Sequence, residues 1–153
     1  MTTIGRCIAL ILAVVAAHPS YASPREPANY LAADKIIGLA KRGDIKAQAQ
    51  LGWMYETGRG LPQNYFEAAK WYSRAAVQGD GWAQFELGML YNKGEGVVRD
   101  LVQSYMWLTL SASQAVGDDR DFKARMRDAL ASKMTPEQVA AAQEMARTWY
   151  KAQ

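Results

Sequence analysis

Apolar residues recur at helical spacing along most of this chain, and no stretch alternates with the two-residue period of a strand. Ala47, Leu51, Met54 and Tyr55 mark one such face, and Ala83, Leu87, Leu90 and Tyr91 mark another. Each face follows an aspartate suited to an N-cap, Asp44 or Asp80. Each ends at a glycine, Gly58 or Gly94, free to take the left-handed conformation that stops a helix. A second helix then opens at Asn64-x-x-Glu67 or Asp100-x-x-Gln103, a capping-box arrangement. Its apolar face carries Phe66, Ala69, Tyr72 and Ala76 in one case and Val102, Tyr105, Leu108 and Ala112 in the other. Gly79 and Gly117 are expected to stop these second helices. The pattern predicts helix–turn–helix units throughout, an all-α chain.

The two units are copies of one another. Aligning Asp44–Gly79 with Asp80–Ala115, a shift of 36, gives eleven identities, among them Gln48/Gln84, Leu51/Leu87, Gly52/Gly88, Tyr55/Tyr91, Trp71/Trp107 and Ala76/Ala112. A partial copy precedes them: Ala40, Gly43 and Asp44 correspond to Ala76, Gly79 and Asp80. Gly52 and Gly88 sit inside helices, where each costs ~1 kcal/mol relative to alanine, so a neighbouring backbone is expected to come close. The Ala75-Ala76 and Ser111-Ala112 pairs would permit that approach. A single pair cannot bury both its faces, so the copies must stack and be capped. Residues 29–42 supply a leading cap helix. Residues 120–133 place Phe122, Met126, Ala129 and Leu130 on one face of a sixth helix. Thr135-Pro136-Glu137-Gln138 then opens the last helix, with Thr as N-cap, Pro at the first position and Gln as capping-box partner.

AQAQLGWMYETGRGL, a cap at Asn64 and EAAKWYSRAAVQG form the first copy; WAQFELGMLYNKGEGV, a cap at Asp100 and QSYMWLTLSASQAVG form the second. These residues resemble the Sel-one-like repeat, a relative of the tetratricopeptide repeat, and the tail ALASKMTPEQVAAAQEMARTWY is similar to an ending common in bacterial members. The resemblance implies an αα-superhelix, a tetratricopeptide-like solenoid of about seven helices: two full 36-residue repeats plus capping helices. The second copy departs from the family pattern at Ser104-Tyr105 and runs two residues longer before its glycine, which suits an array that closes there. The cysteine pairs that bridge the helices of many bacterial relatives are absent, so stability must come from packing.

The amino terminus alters the chemistry on offer. Arg6 precedes Cys7–Ala17, an unbroken apolar run of eleven, too short for a bilayer span of ~20 residues and followed by small residues at Ser20 and Ala22. This reads as a secretory signal peptide, residues 1–22, with cleavage after Ala22; an uncleaved anchor is the alternative. The expected organisation continues with a linker and cap helix at 23–43, the repeats at 44–117 and C-terminal capping helices at 118–153. Cleavage removes Cys7 and His18, the only cysteine and histidine among 153 residues. Thiol nucleophiles, imidazole bases and Cys/His zinc sites go with them. The 18 basic and 15 acidic side chains are dispersed, without the basic block that phosphate contacts need, so nucleic acid is a poor partner.

Other constellations point to ordinary structure. Gly58-Arg59-Gly60 and Gly94-Glu95-Gly96 lack the strand and Lys-Ser/Thr of a phosphate loop and read as turns. Asp118, Asp119 and Asp121 suit a helix dipole better than a cation. Arg120, Lys123 and Arg127 share a mixed, solvated face. Glu56, Glu67, Glu86 and Glu95 are expected at cap, turn or exposed positions, not as a buried hydrolytic pair. Because first helices line the concave side of tetratricopeptide-type solenoids, the resemblance implies a groove formed by Gln48, Trp53 and Glu56 with Gln84, Phe85 and Met89. The competing reading places Trp53, Phe85 and Met89 in the core between repeats. The expected function is a periplasmic or secreted interaction module, without catalysis or cofactor, that binds a protein or peptide partner in the envelope. A cell-wall or polysaccharide binder is the alternative; a β-lactam-binding or hydrolysing enzyme would need a Ser-x-x-Lys motif that the chain lacks.

Overall fold

The computed structural model describes residues 27–151; the expected signal segment, with Cys7 and His18, lies outside the described residues. Seven helices follow one another without a strand among the described residues: α1 Pro27–Lys41, α2 Ile45–Thr57, α3 Tyr65–Val77, α4 Gly81–Lys93, α5 Leu101–Gln114, α6 Gly117–Ala131 and α7 Pro136–Lys151. The fold is the all-α repeat architecture expected.

The caps explain most of the boundaries. Asp44 and Asp80 accept from the amides of Ala47 and Ala83, each at 2.8 Å, opening α2 and α4. Gly58 (φ 73) and Gly94 (φ 76) close the same helices in the left-handed conformation. At α3 and α5 only half of the capping box forms. Asn64 accepts from the Glu67 amide at 3.1 Å, and Asp100 accepts from the amides of Val102 and Gln103. The amides of Asn64 and Asp100 donate instead to the carbonyls of Tyr55 and Tyr91, so Glu67 is released to Lys70 at 3.2 Å. The reciprocal box does form at Thr135 and Gln138, with bonds of 2.9 and 3.3 Å. Each such cap contributes ~1 kcal/mol.

Gly117 does not stop α5. That helix ends at Gln114, Ala115 and Val116 run extended, and Gly117 (φ 57) is the first residue of α6, whose first turn holds Asp118 and Asp119. The sixth helix therefore starts three residues before the expected Arg120. Its apolar face is also thinner than expected: Leu130 is buried, but Phe122 is 46% exposed and Ala129 lies in water. On α3, Ala69, Tyr72 and Ala76 are buried as expected, whereas Phe66 is 64% exposed.

Successive pairs are clamped by the repeated glutamines. Gln48 Nε2 donates to the Ala40 carbonyl (3.2 Å) and Gln84 Nε2 to the Ala76 carbonyl (3.1 Å), so one bond recurs at the 36-residue shift. Each glutamine also accepts from the last-turn glutamine of its own repeat, Gln78 at 2.6 Å or Gln114 at 2.8 Å. A buried amide left without such partners costs ~1–3 kcal/mol, which fixes both the pairing and its register. Both helical glycines are closely packed, but a backbone is among the nearest groups only at Gly88, and the partners are not the alanine and serine pairs. A Cβ on Gly52 would meet the Tyr72 ring at 2.7–2.9 Å, and one on Gly88 would meet Leu108 at 3.1 Å and the Ser104 carbonyl at 3.2 Å. Trp71 and Trp107 are buried, and α5 is flanked by α4, α6 and α7.

Candidate functional site

The first helices present a row of half-buried groups at helical spacing. Trp53 and Glu56 come from α2, and Phe85, Glu86 and Met89 from α4; exposed Trp82 and Phe122 extend the row on α4 and α6. The Phe85 and Phe122 rings lie 5.8 Å apart, and the Lys123 ammonium stands 5.9 Å from the Phe85 ring. Arg59 lies over Trp53 at 5.1 Å. Trp53, Phe85 and Met89 pack against the main core while keeping part of their surface in water. The two readings offered by the sequence are therefore not exclusive for these side chains.

Two carboxylates sit within this row. Tyr72, wholly buried beneath it, donates its hydroxyl to Glu56 at 2.7 Å and packs edge-on against Trp82, ring centroids 5.8 Å apart. The Trp82 indole donates to Glu86 at 3.0 Å. Glu56, Tyr72, Trp82 and Glu86 thus form one chain of contacts across α2, α3 and α4. Burial lifts the Glu86 carboxyl above its ordinary range and repulsion from Glu56 adds to this, opposed by the indole bond and by Lys93 and Lys123. Burial likewise raises the Tyr72 hydroxyl, reinforced by its hydrogen bond to Glu56 and by the charges of Glu56 and Glu86. Glu56 and Glu86 therefore are not the freely exposed carboxylates that the sequence pattern implied.

Gln48 and Gln84, expected in the same row, are 5% and 0% exposed. Their amides are committed to the clamps between pairs, so they shape the groove from beneath without offering a group to a partner. The basic trio of α6 divides its charge among neighbours: Arg120 with Asp121 (3.5 Å), Lys123 with Asp119 (3.0 Å) and Arg127 with Asp128 (2.7 Å). Among the described residues no group of His, Cys, Asp and Glu is placed to hold a metal ion, and no helix is long and apolar enough to cross a membrane.

A second concavity lies away from this row, where α3 meets α4 and the α4–α5 connection. It encloses about 400 Å³ among Phe66, Ala69, Leu87, Tyr91 and Val97, with Lys70 and Arg74 at its edge. The sequence reading missed it because helical periodicity assigned Phe66 to the core.

The Sel1 repeat pattern matches residues 45–80 and 83–116. A solved Sel1 repeat protein from Oxalobacter formigenes is 38% identical, covering 59% of this chain and 68% of its own, with a TM-score of 0.55. A solved protective antigen present in uropathogenic Escherichia coli strains, displaying an SLR fold, is 30% identical with a TM-score of 0.73. That match covers 78% of this chain but only 25% of the antigen, so the chain spans about a quarter of that protein's length. No curated protein matches the chain. With two matched repeats stacked in register, the chain belongs to the Sel1 repeat proteins, which usually mediate protein–protein interaction and are generally non-catalytic scaffolds.

Proposed function

We propose that this protein is an exported adaptor of the bacterial envelope that holds a segment of a protein partner along its first helices. The observation that carries the reading is the row of partly exposed aromatic and Met side chains on successive helices: Trp53 on α2, Phe85 and Met89 on α4, and Phe122 on α6. Such rigid, amphipathic anchors supply most of the binding energy in protein interfaces. Trp53/Met89 and Ala49/Phe85 differ between the two copies, whereas Leu51/Leu87, Gly52/Gly88 and Tyr55/Tyr91 do not. In a repeat, the unvarying positions maintain stacking and the varying ones are free to specify a ligand. A groove two repeats long is short, and affinity on the order of micromolar follows from a few anchors. The apolar run Cys7–Ala17 with its Ser20–Ala22 site supports export to the periplasm or beyond.

A photo-reactive amino acid at Met89, expressed in cells, tests the face. Partner adducts identified by mass spectrometry should form there and not from the exposed Gln143 on α7. They should be lost when Phe85→Ala or Trp53→Ala is added with helicity retained. Equal adducts from both positions, or unfolding by either alanine, would remove this face from consideration. Recovery of the intact Met1 terminus from cytosol, in place of Ser23 from periplasm, would overturn the location. Co-sedimentation with peptidoglycan that depends on Trp82 and Trp53 would favour a cell-wall ligand instead.

A further inference from the structure

We infer that the concavity between α3 and the α4–α5 connection is a second docking site, distinct from the first-helix row. Its occupant is a partner peptide carrying an apolar side chain followed closely by a carboxylate. Leu87 and Tyr91 form the floor, Phe66 and Ala69 one wall, and Gly96 and Val97 the other, around about 400 Å³. A contiguous space of about 580 Å³ continues past Val98 and Arg99 towards Gln103. The margin is apolar and open to water: Phe66 is 64% exposed and Val98 is 88% exposed. The far wall is rigid, because the Gly96 backbone is pressed against the Tyr65 carbonyl so tightly that a Cβ there would lie 2.1 Å from it. The space is therefore built into the joint between the repeats.

Charge selects the occupant. Lys70 and Arg74 edge the part of about 400 Å³, and no acidic residue lines it. Lys70 is shared with Glu67, but the Arg74 guanidinium carbon stands over the Trp71 ring, 4.3 Å from its centroid, with no carboxylate partner among the described residues. That contact holds the guanidinium at the rim of the space, where its N–H groups can take a carboxylate. In the adjoining space Arg99 spends one N–H on the Asn92 carbonyl, while the one acid, Asp100, is occupied by two amides of α5. The second repeat supplies an internal precedent for covering this face. Val102, Met106 and Leu110 stand at the positions of Phe66, Lys70 and Arg74, and there α7 of the same chain packs on α5. On α3 the same face is open, and its two cations replace two apolar groups.

A random 12-residue peptide display library selected on the exported protein, followed by anisotropy titration of labelled winners, tests the assignment. The enriched peptides should pair an aromatic or branched aliphatic residue with Asp or Glu within two or three positions. Phe66→Ala and Arg74→Glu, both on exposed side chains and checked for unchanged melting, should each weaken them about tenfold or more. Replacing the peptide Asp by Asn should weaken binding to the native protein and change nothing in Arg74→Ala. Trp53→Ala and Phe85→Ala should leave these peptides bound, which separates this site from the first-helix row. Enrichment without acids, no enrichment over an uncoated surface, or equal binding by Phe66→Ala and Arg74→Glu would overturn the inference. Loss of self-association in those variants during sedimentation would also overturn it, by assigning the groove to a second copy of the chain.

Discussion

Lys70 and Arg74 on α3 stand where Met106 and Leu110 stand on α5, and the two helices meet different neighbours. Both start from a side-chain cap, and both bury the residues that face their own first helix: Tyr72 at 0% and Ala76 at 0% on α3, Leu108 at 1% and Ala112 at 5% on α5. The outer faces diverge. Leu110 is wholly buried in a cluster with Met106, Leu130, Ala142 and Ala146, and Trp107 packs edge-on against Trp149, centroids 6.5 Å apart. The corresponding tryptophan of the first copy, Trp71, carries Arg74 over its ring and packs in a separate cluster with Ala40, Ala47 and Leu51. The inner face of a repeat is thus dictated by stacking, and the outer face by whatever comes next. Met106 and Leu110, which replace the two cations of the first copy, are the residues that meet the C-terminal helices.

Exchanging the outer faces gives the largest effect. Leu110→Arg introduces an unpaired charge where α6 and α7 close over α5, and a loss of about 4 kcal/mol or more is expected from urea unfolding. The reciprocal Arg74→Leu lies on an exposed face and should change stability by no more than ~0.5 kcal/mol. If Leu110→Arg unfolds with the native midpoint, the C-terminal helices do not close the array.

The joint between the copies comes next. Gly96 (φ 71) combines left-handed backbone with a prospective Cβ 2.1 Å from the Tyr65 carbonyl. Strain of ~1–2 kcal/mol and overpacking of ~1–3 kcal/mol should together make Gly96→Ala cost about 2–5 kcal/mol. Gly94→Ala, whose Cβ would meet the Arg99 side chain at 3.1 Å, should cost mainly the strain. Equal melting temperatures for the two variants would mean that the loop is not seated on α3.

Gly52 and Gly88 sharpen the comparison at smaller scale. Alanine gains ~1 kcal/mol of helix propensity at either site. At Gly52 the Tyr72 ring is in the way at 2.7 Å, and it is held by its bond to Glu56, so Gly52→Ala should destabilise by roughly 1–2 kcal/mol net. At Gly88 the contacts begin at 3.1 Å, so Gly88→Ala should be close to neutral. Leucine should be worse than alanine at both. Thermal melts of the four variants check the order, and a harmless Gly52→Leu would show that α2 and α3 do not approach there.

The internal symmetry of the sequence made the repeat register legible: helix order, N-caps and the glycine approach all follow from positions shared by the two copies. The glutamines were misplaced for a physical reason. Gln48 and Gln84 lie on the first helices beside ligand-type positions, but their identity between copies is the mark of a stacking residue, and the clamp they form is the outcome. Glu56 and Glu86 do not align with each other, so no comparison of copies could bring them together; only the packing of α2 on α3 and α4 does. Phe66 has the spacing of a core residue, and periodicity carries no information about whether a later helix will cover it.

The pair of glutamates with opposite shifts offers the smallest and most diagnostic effect. Glu86 is held above its ordinary range chiefly by burial and then by Glu56. Glu137, exposed in the first turn of α7, is held below it, chiefly by the Thr135 hydroxyl and then by a backbone amide. A carboxyl raised in the folded state holds its proton more tightly than in the unfolded chain. Its ionised form therefore costs stability above the folded pKa, and the cost disappears as pH falls below the ordinary glutamate value. A depressed carboxyl contributes stability above the ordinary value and loses it as pH falls through its folded pKa. Gln at position 86 keeps an acceptor for the Trp82 indole and removes the charge. Glu86→Gln should therefore melt slightly above the native protein at neutral pH, and the gap should close on acidification through the glutamate range. Glu137→Gln should melt slightly below it at neutral pH, with its gap closing over the same range from the other side. Melting curves of the three proteins across that range read the two signs directly. If Glu86→Gln is instead the less stable at neutral pH, attraction to Lys93 and Lys123 outweighs burial, and Glu86 would be a structural ion-pair partner.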